Sequence, residues 1–190
     1  MTSFALFDTA IGACGIVWGE DGVVGMQLPE ARADQARARL AKRYPGAAET
    51  TPTAEIERVI GEVRALLKGE ARDLTHIALD MSQVPEFEKQ VYAIARAVPP
   101  GRTITYGEIA AKLGDKALSR DVGAALGRNP FPIVVPCHRV LGSGGKTGGF
   151  SARGGVDTKM RMLQIERAKT SDEPLLFDTL PVSAKKDKRG

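Results

Sequence analysis

The sequence predicts a mixed α/β (α+β) fold, with a small N-terminal α/β module followed by a mostly helical one. Three observations carry this. Apolar residues alternate over 3–28, they recur at helical spacing over 54–69 and again over 86–98, and residues 105–108 spell a capping box.

In the first module, "CGIVWGEDGVVGMQL" reads as two strands joined in a hairpin at Gly19-Glu20-Asp21-Gly22. "EARADQARARLAKRY" has helix-forming composition. "TAEIERVIGEVRALLKG" places Ile56, Val59, Ile60, Val63, Leu66 and Leu67 on one helical face, closed by Gly69. "LTHIALDM" is read as a strand carrying a structural histidine, His76, since no cysteine or second histidine lies near it.

The second module opens near Pro85. Phe87, Val91, Ile94 and Val98 follow helical spacing, and Pro99-Pro100-Gly101 stops that helix. Thr105 and Glu108 can then cap each other's backbone N–H groups and start a helix with Ile109 and Leu113 inside, ended by Gly114. Asp115 is expected to cap the next helix, with Leu118, Val122 and Leu126 inside and Gly127 at its end. Two short helices joined by a glycine-bearing turn make a helix-turn-helix candidate, although many such hairpins bind nothing. Arg120 falls near the start of the second helix, where a helix-turn-helix presents side chains to DNA, with Lys112, Lys116 and Arg128 around it. Further on, "IVV" reads as buried strand, residues 142–149 as a loop with five glycines, and Asp157 as the cap of a last helix. From about Ser171 the pattern dissolves into a disordered tail.

The chain of 190 residues has room for one sizeable domain or two small ones. Its net charge of +4 conceals an asymmetry: residues 1–84 hold 9 Lys/Arg against 12 Asp/Glu, and residues 85–170 hold 14 against 7. That excess is the footprint of a polyanion binder; solvated surface charge is the plainer explanation. The N-terminus fits neither a signal peptide nor a membrane span, so a cytoplasmic protein is expected. Two cysteines without framework spacing, Cys14 and Cys137, argue against a disulfide scaffold.

"IVVPCHRV" sets Cys137 beside His138. A buried structural cysteine is one reading. A metal site is disfavoured, because neither Cys14 nor His76 supplies paired ligand spacing. A nucleophile needs a base, an orienting group, substrate access and a positive environment, for which His138, Arg139, the glycine-rich loop and the basic module are candidates, and Glu166 near the end of the last helix is a carboxylate that could hold the histidine. In an extended segment Cys137 and His138 would face opposite sides, so a bridging water is expected between them.

"PCHRV" preceded by "NPFPIVV", with "TYGEIAAKLG" upstream (Tyr106 stands 31 residues before Cys137), resembles the O6-alkylguanine-DNA alkyltransferases, also called methylated-DNA protein-cysteine methyltransferases, in their bacterial stand-alone form. The match covers roughly residues 85–168. It implies a ribonuclease-H-like N-terminal domain over 1–84, an alkyltransferase domain with a helix-turn-helix over 85–170, and a tail over 171–190. The implied activity is stoichiometric, irreversible transfer of the alkyl group from O6-alkylguanine, and from O4-alkylthymine, to Cys137, with no cofactor or metal. His138 would be the water-mediated base, Glu166 its partner, Asn129 the brace of the active-site turn, and Tyr106 the residue that rotates the nucleotide out and donates a proton. DNA would be contacted by Tyr106, Lys116, Ala117, Arg120 and Arg128. Val135, Pro136, Phe150, Ser151 and Lys159 would line the guanine pocket. The partner would be double-stranded DNA, entered through the minor groove by a monomer and independently of sequence. The paired glycines Gly154-Gly155 come later after Phe150 than in many members, so the wall facing the alkyl group is expected to differ in size. Rival readings are a non-catalytic binder of alkylated bases, whose relatives carry tryptophan in place of the cysteine, an operator-specific transcription factor, and a cysteine hydrolase.

Overall fold

A computed structural model describes residues 1–147 and 155–168. Strands β1 (Ser3–Thr9), β2 (Gly12–Gly19), β3 (Gly22–Gln27) and β4 (Ala48–Glu49) form a sheet of order β3-β2-β1-β4. The first three pair antiparallel, and Gly19 opposite Gly22 closes the expected hairpin; β4 joins β1 in parallel.

The period-two alternation of β1 is spent on both faces. Phe4 lies with Val17 and Leu40 of α1 (Ala33–Arg43), whereas Ala5 and Phe7 join the larger cluster built on α2 (Ala54–Leu67). All six apolar residues expected on the inner face of α2 are buried, and Thr53 caps the helix by accepting from the Ile56 N–H.

"LTHIALDM" is not a strand. Asp73 accepts from the Thr75 N–H and turns the chain there, leaving only a bridge between Val23 and Leu79. A local Asx turn thus overrides the apolar pattern. His76 is exposed, 3.2 Å from Glu62.

Helix α3 (Glu86–Arg96) is followed by β5 (Ile104–Thr105) and α4 (Tyr106–Lys112). The capping box forms: the Glu108 N–H donates to the Thr105 hydroxyl at 3.1 Å, and the Thr105 N–H donates to the Glu108 carboxylate at 2.6 Å. Gly114 reverses the chain at φ +99°, a conformation that suits glycine. The next helix, α5 (Ser119–Gly127), starts later than expected. Asp115 caps a 3₁₀ turn over Lys116–Leu118, accepting from the Ala117 N–H at 2.8 Å, and α5 follows from it. Strand β6 (Val140–Leu141) pairs in parallel with β5, and α6 (Gly155–Ile165) packs against the turn that precedes β6. A single buried cluster runs from Ala5 on the sheet to Met162 on α6. Among the described residues, no helix is long and apolar enough to cross a membrane.

Candidate active site

The apolar run before Cys137 is not a strand either. Ile133 adopts φ +79°, a left-handed conformation that costs a β-branched residue about 1–3 kcal/mol. Pro136, at φ −80° and ψ 67°, then makes an inverse γ-turn in which the Cys137 N–H donates to the Val135 carbonyl at 2.8 Å. Asn129 holds the reversal together. Its side-chain amide donates to the Val135 carbonyl at 2.9 Å, and its side-chain oxygen accepts from the Phe131 N–H at 2.9 Å. Because Asn129 and these partners are buried, the Phe131 N–H depends on the Asn129 side chain, which also adds a second donor to the Val135 carbonyl, and the strain at Ile133 is held in place.

Cys137 consequently sits at the start of a 3₁₀ turn, Cys137–Arg139, with part of its surface exposed. Successive residues of such a turn point about 120° apart, so the sulfur and the imidazole diverge, though from a turn and not from the extended segment expected. Burial raises the thiol's pKa. Hydrogen bonding with Asn129, the positive charge of Lys159 and nearby backbone N–H groups pull it back down. Cys14 has no exposed surface, and burial pushes its thiol up to about 12.

His138 is fully buried, with Nε2 2.8 Å from Glu166 Oε1. Glu166 follows the end of α6, and its carboxyl is held down at about 2: burial opposes ionisation, but the hydrogen bonds from His138 and Arg139 outweigh it. An ionised carboxylate only accepts, so Nε2 of His138 carries the proton and the basic lone pair lies on Nδ1. Among the described residues, no group bonds that buried Nδ1. Burial also lowers the pKa of His138 against the pull of Glu166, leaving a neutral imidazole.

Tyr106 is half-buried at the head of α4, its ring lying against Gly123 of α5. Its hydroxyl is kept protonated by burial and by the nearby Cys137. Lys159 of α6 is completely buried; Nζ donates to the Val140 carbonyl at 2.6 Å and stands 5.9 Å from the centre of the Tyr106 ring. Val135 and Pro136 are buried in the turn itself. Cys137, His138, Glu166, Asn129, Tyr106 and Lys159 are thereby brought into one region from four elements. Lys116, Ala117 and Arg120 are exposed on the 3₁₀ turn and α5. Arg128 is exposed too, but its guanidinium is engaged by Glu88 of α3 at 2.6 Å. Phe150, Ser151 and the 171–190 tail lie outside the described residues.

The sequence offered Arg139 among the candidates around the thiol but did not pair it with Glu166. It is buried, and its guanidinium grips both oxygens of Glu166 at 2.9 Å. A charged residue inside an apolar run is the signal that could have found it, since buried charge must be paired.

Chemically this is a nucleophilic-thiol site, carried on an α/β chain whose neighbouring helices present basic side chains. Known proteins resemble the chain in sequence and in fold. Residues 86–168 match the family model described as 6-O-methylguanine DNA methyltransferase, DNA binding domain. The methylated-DNA–protein-cysteine methyltransferase of Methanothermobacter thermautotrophicus is 36% identical over 152 residues, covering 80% of this chain and 78% of that protein. The solved O6-methylguanine methyltransferase of Mycobacterium tuberculosis superposes with a TM-score of 0.72 at 27% identity, covering 88% of this chain and 93% of its own. That organism's OGT in complex with DNA gives 0.70 at 26%, covering 88% and 96%. The chain belongs to the methylated-DNA–protein-cysteine methyltransferase family.

Proposed function

We infer that this protein repairs DNA by direct reversal, taking the alkyl group of an O6-alkylguanine onto its own Cys137 and working once. The observation that carries this reading is a partly exposed cysteine on a braced turn, beside a buried neutral histidine whose Nδ1 finds no bonding partner among the described residues. The Cys137 proton passes through a water to His138 Nδ1, the sulfur attacks the alkyl carbon, and the carbon–O6 bond breaks. Guanine leaves as an anion and takes a proton from the Tyr106 hydroxyl; the proton held on His138 then returns through water to the Tyr106 oxygen, so that the net proton moves from sulfur to base and both side chains are restored. The product is a thioether, with no leaving group for a second round.

The reactive carbon is out of reach inside a stacked duplex, so the nucleotide must rotate out, at a cost of a few kcal/mol. On this reading Tyr106 displaces it, Arg120 enters the gap, and Lys116, Ala117 and Arg128 meet the backbone, with Arg128 exchanging Glu88 for phosphate. Val135, Pro136, Lys159, Phe150 and Ser151 line the pocket. A monomer entering the minor groove reads little sequence there, as suits a lesion found in any context. O4-alkylthymine presents the same kind of alkyl ether. Residues 1–84 would be the ribonuclease-H-like unit, a reading supported by the β3-β2-β1-β4 order, and 85–170 the alkyltransferase unit with α4 and α5 as its helix-turn-helix. Cytoplasmic placement accords with such a role.

The test is the mass of the intact protein before and after incubation with an O6-methylguanine duplex. A gain of one methyl group, located on the peptide containing Cys137, is expected; an unchanged mass overturns the reading. Arg120→Ala should slow transfer from duplex by about tenfold while leaving transfer from free O6-alkylguanine base nearly unchanged, because only the duplex requires extrusion. Equal slowing of both would remove Arg120 from the extrusion step.

A further inference from the structure

We propose that Arg139 is a positioning residue for this site, a three-way clamp that fixes the Glu166 carboxylate and thereby the tautomer and neutrality of His138. The inference rests on the direct-reversal reading for its consequence in catalysis, but its geometry stands apart from it.

Arg139 Nε donates to Glu166 Oε2 and Nη2 to Oε1, each at 2.9 Å, in the parallel fork that guanidinium makes with a carboxylate. Nη1 donates to the Val98 carbonyl at 2.6 Å, just beyond the end of α3. Oε1 of Glu166 also accepts from His138 Nε2, so the two basic side chains share one oxygen. The clamp therefore joins the active-site turn, the end of α3 and the end of α6. The backbone reinforces it: Gly101, at φ +79°, lies so close to the Glu166 carbonyl that a Cβ there would sit 3.2 Å from its oxygen. With side-chain exposures of 6% for Arg139 and 3% for Glu166, neither charge has water as an alternative partner.

Two consequences separate Arg139 from ordinary packing. With both oxygens committed, the carboxylate cannot rotate, and Nδ1 of His138 stays directed away from Glu166. The guanidinium also spends much of the carboxylate's charge, so Glu166 holds the imidazole without drawing a second proton onto it. Burial is the main force that keeps His138 neutral; of the charges facing it, Glu166 favours the imidazolium and Arg139 and Lys159 oppose it, and the neutral Cys137 thiol is its neighbour in the turn. Removing the Arg139 charge leaves Glu166 less balanced, so the imidazolium is stabilised and persists to higher pH. A base that is already protonated cannot take the thiol proton, and the acid limb of the transfer rate moves up with it.

The first measurement needs no DNA. The chain has two histidines, and exposed His76 serves as an internal reference for His138 in a ring-nitrogen NMR titration of the full chain. In the wild type, His138 should remain the Nε2–H tautomer and titrate below the usual histidine range. In Arg139→Met its titration should rise by about one unit or more, and in Arg139→Lys by less. The transfer rate of Arg139→Met should fall about tenfold on the acid side and approach the wild type at alkaline pH. Identical His138 titration in the wild type and Arg139→Met overturns the proposal, as does a loss of rate uniform across pH. Should Arg139→Met fail to fold, the wild-type spectrum decides: His138 as a mixture of tautomers, or titrating at or above the usual range, is equally fatal. Because the titration reads no alkyl transfer, its outcome is independent of whether the protein is a transferase.

Discussion

Cys137→Ala is expected to gain no mass from an O6-methylguanine duplex while binding that duplex with nearly unchanged affinity. Cys14→Ala should react at the wild-type rate. The contrast follows from position. Cys137 begins a turn with part of its surface open, and Asn129 and Lys159 offset some of the cost of ionising its thiol; Cys14 is enclosed in the sheet, where burial holds its thiol at about 12. At neutral pH a thiol at that value is ionised in only about one molecule in 10⁵. Cys14 packs as a small apolar side chain, so its truncation is expected to lower stability by about 1 kcal/mol and leave chemistry alone. Intact-protein mass and a titration of fluorescent duplex read the two effects separately. Loss of DNA affinity in Cys137→Ala to the same degree as transfer would make the cysteine structural and defeat the reading.

Glu166→Gln should both destabilise the protein and slow transfer. The substitution is nearly isosteric, but it leaves the guanidinium of Arg139 buried without a counter-charge, which typically costs about 3–5 kcal/mol. Denaturant unfolding at neutral pH measures that. The pH dependence has a definite sign. Glu166 is depressed to about 2, so the stability it contributes is fully present above its ordinary carboxylate range and is lost as pH falls toward 2. Glu166→Gln should lack that part of the acid limb. An amide can also present its N–H₂ to Nε2 and invert the imidazole tautomer, removing the base from the thiol side. Transfer should therefore fall by about 10²-fold or more. An unfolding midpoint unchanged from the wild type at neutral pH would show that the Arg139–Glu166 pair carries no net stability.

Much of this architecture was readable along the chain because the relevant interactions are near in sequence. The six apolar residues of α2 are buried as their spacing required, and Thr105 and Glu108, three residues apart, close the capping box that starts α4. The turn at Gly19–Gly22 likewise joins β2 to β3. The misread segments share one cause. "LTHIALDM" and "IVV" both carry strand-like apolar runs, but side chains of Asp73 and Asn129 bond backbone groups nearby and bend the chain away from a ladder. In the second case Pro136 adds a γ-turn, and Cys137 follows it at the start of a 3₁₀ turn with part of its surface open.

By itself, then, the sequence determined the order and kind of most elements, the basic character of the second half, and the adjacency of Cys137 and His138. Only the tertiary structure decided which charges meet: Arg139 with Glu166 across 27 residues, Arg128 with Glu88 across 40, and Lys159 under the Tyr106 ring. Periodicity and caps depend on neighbours a few residues away, and the chain carries them wherever it goes. Buried ion pairs depend on where separate elements dock, and that docking is set by the shared core.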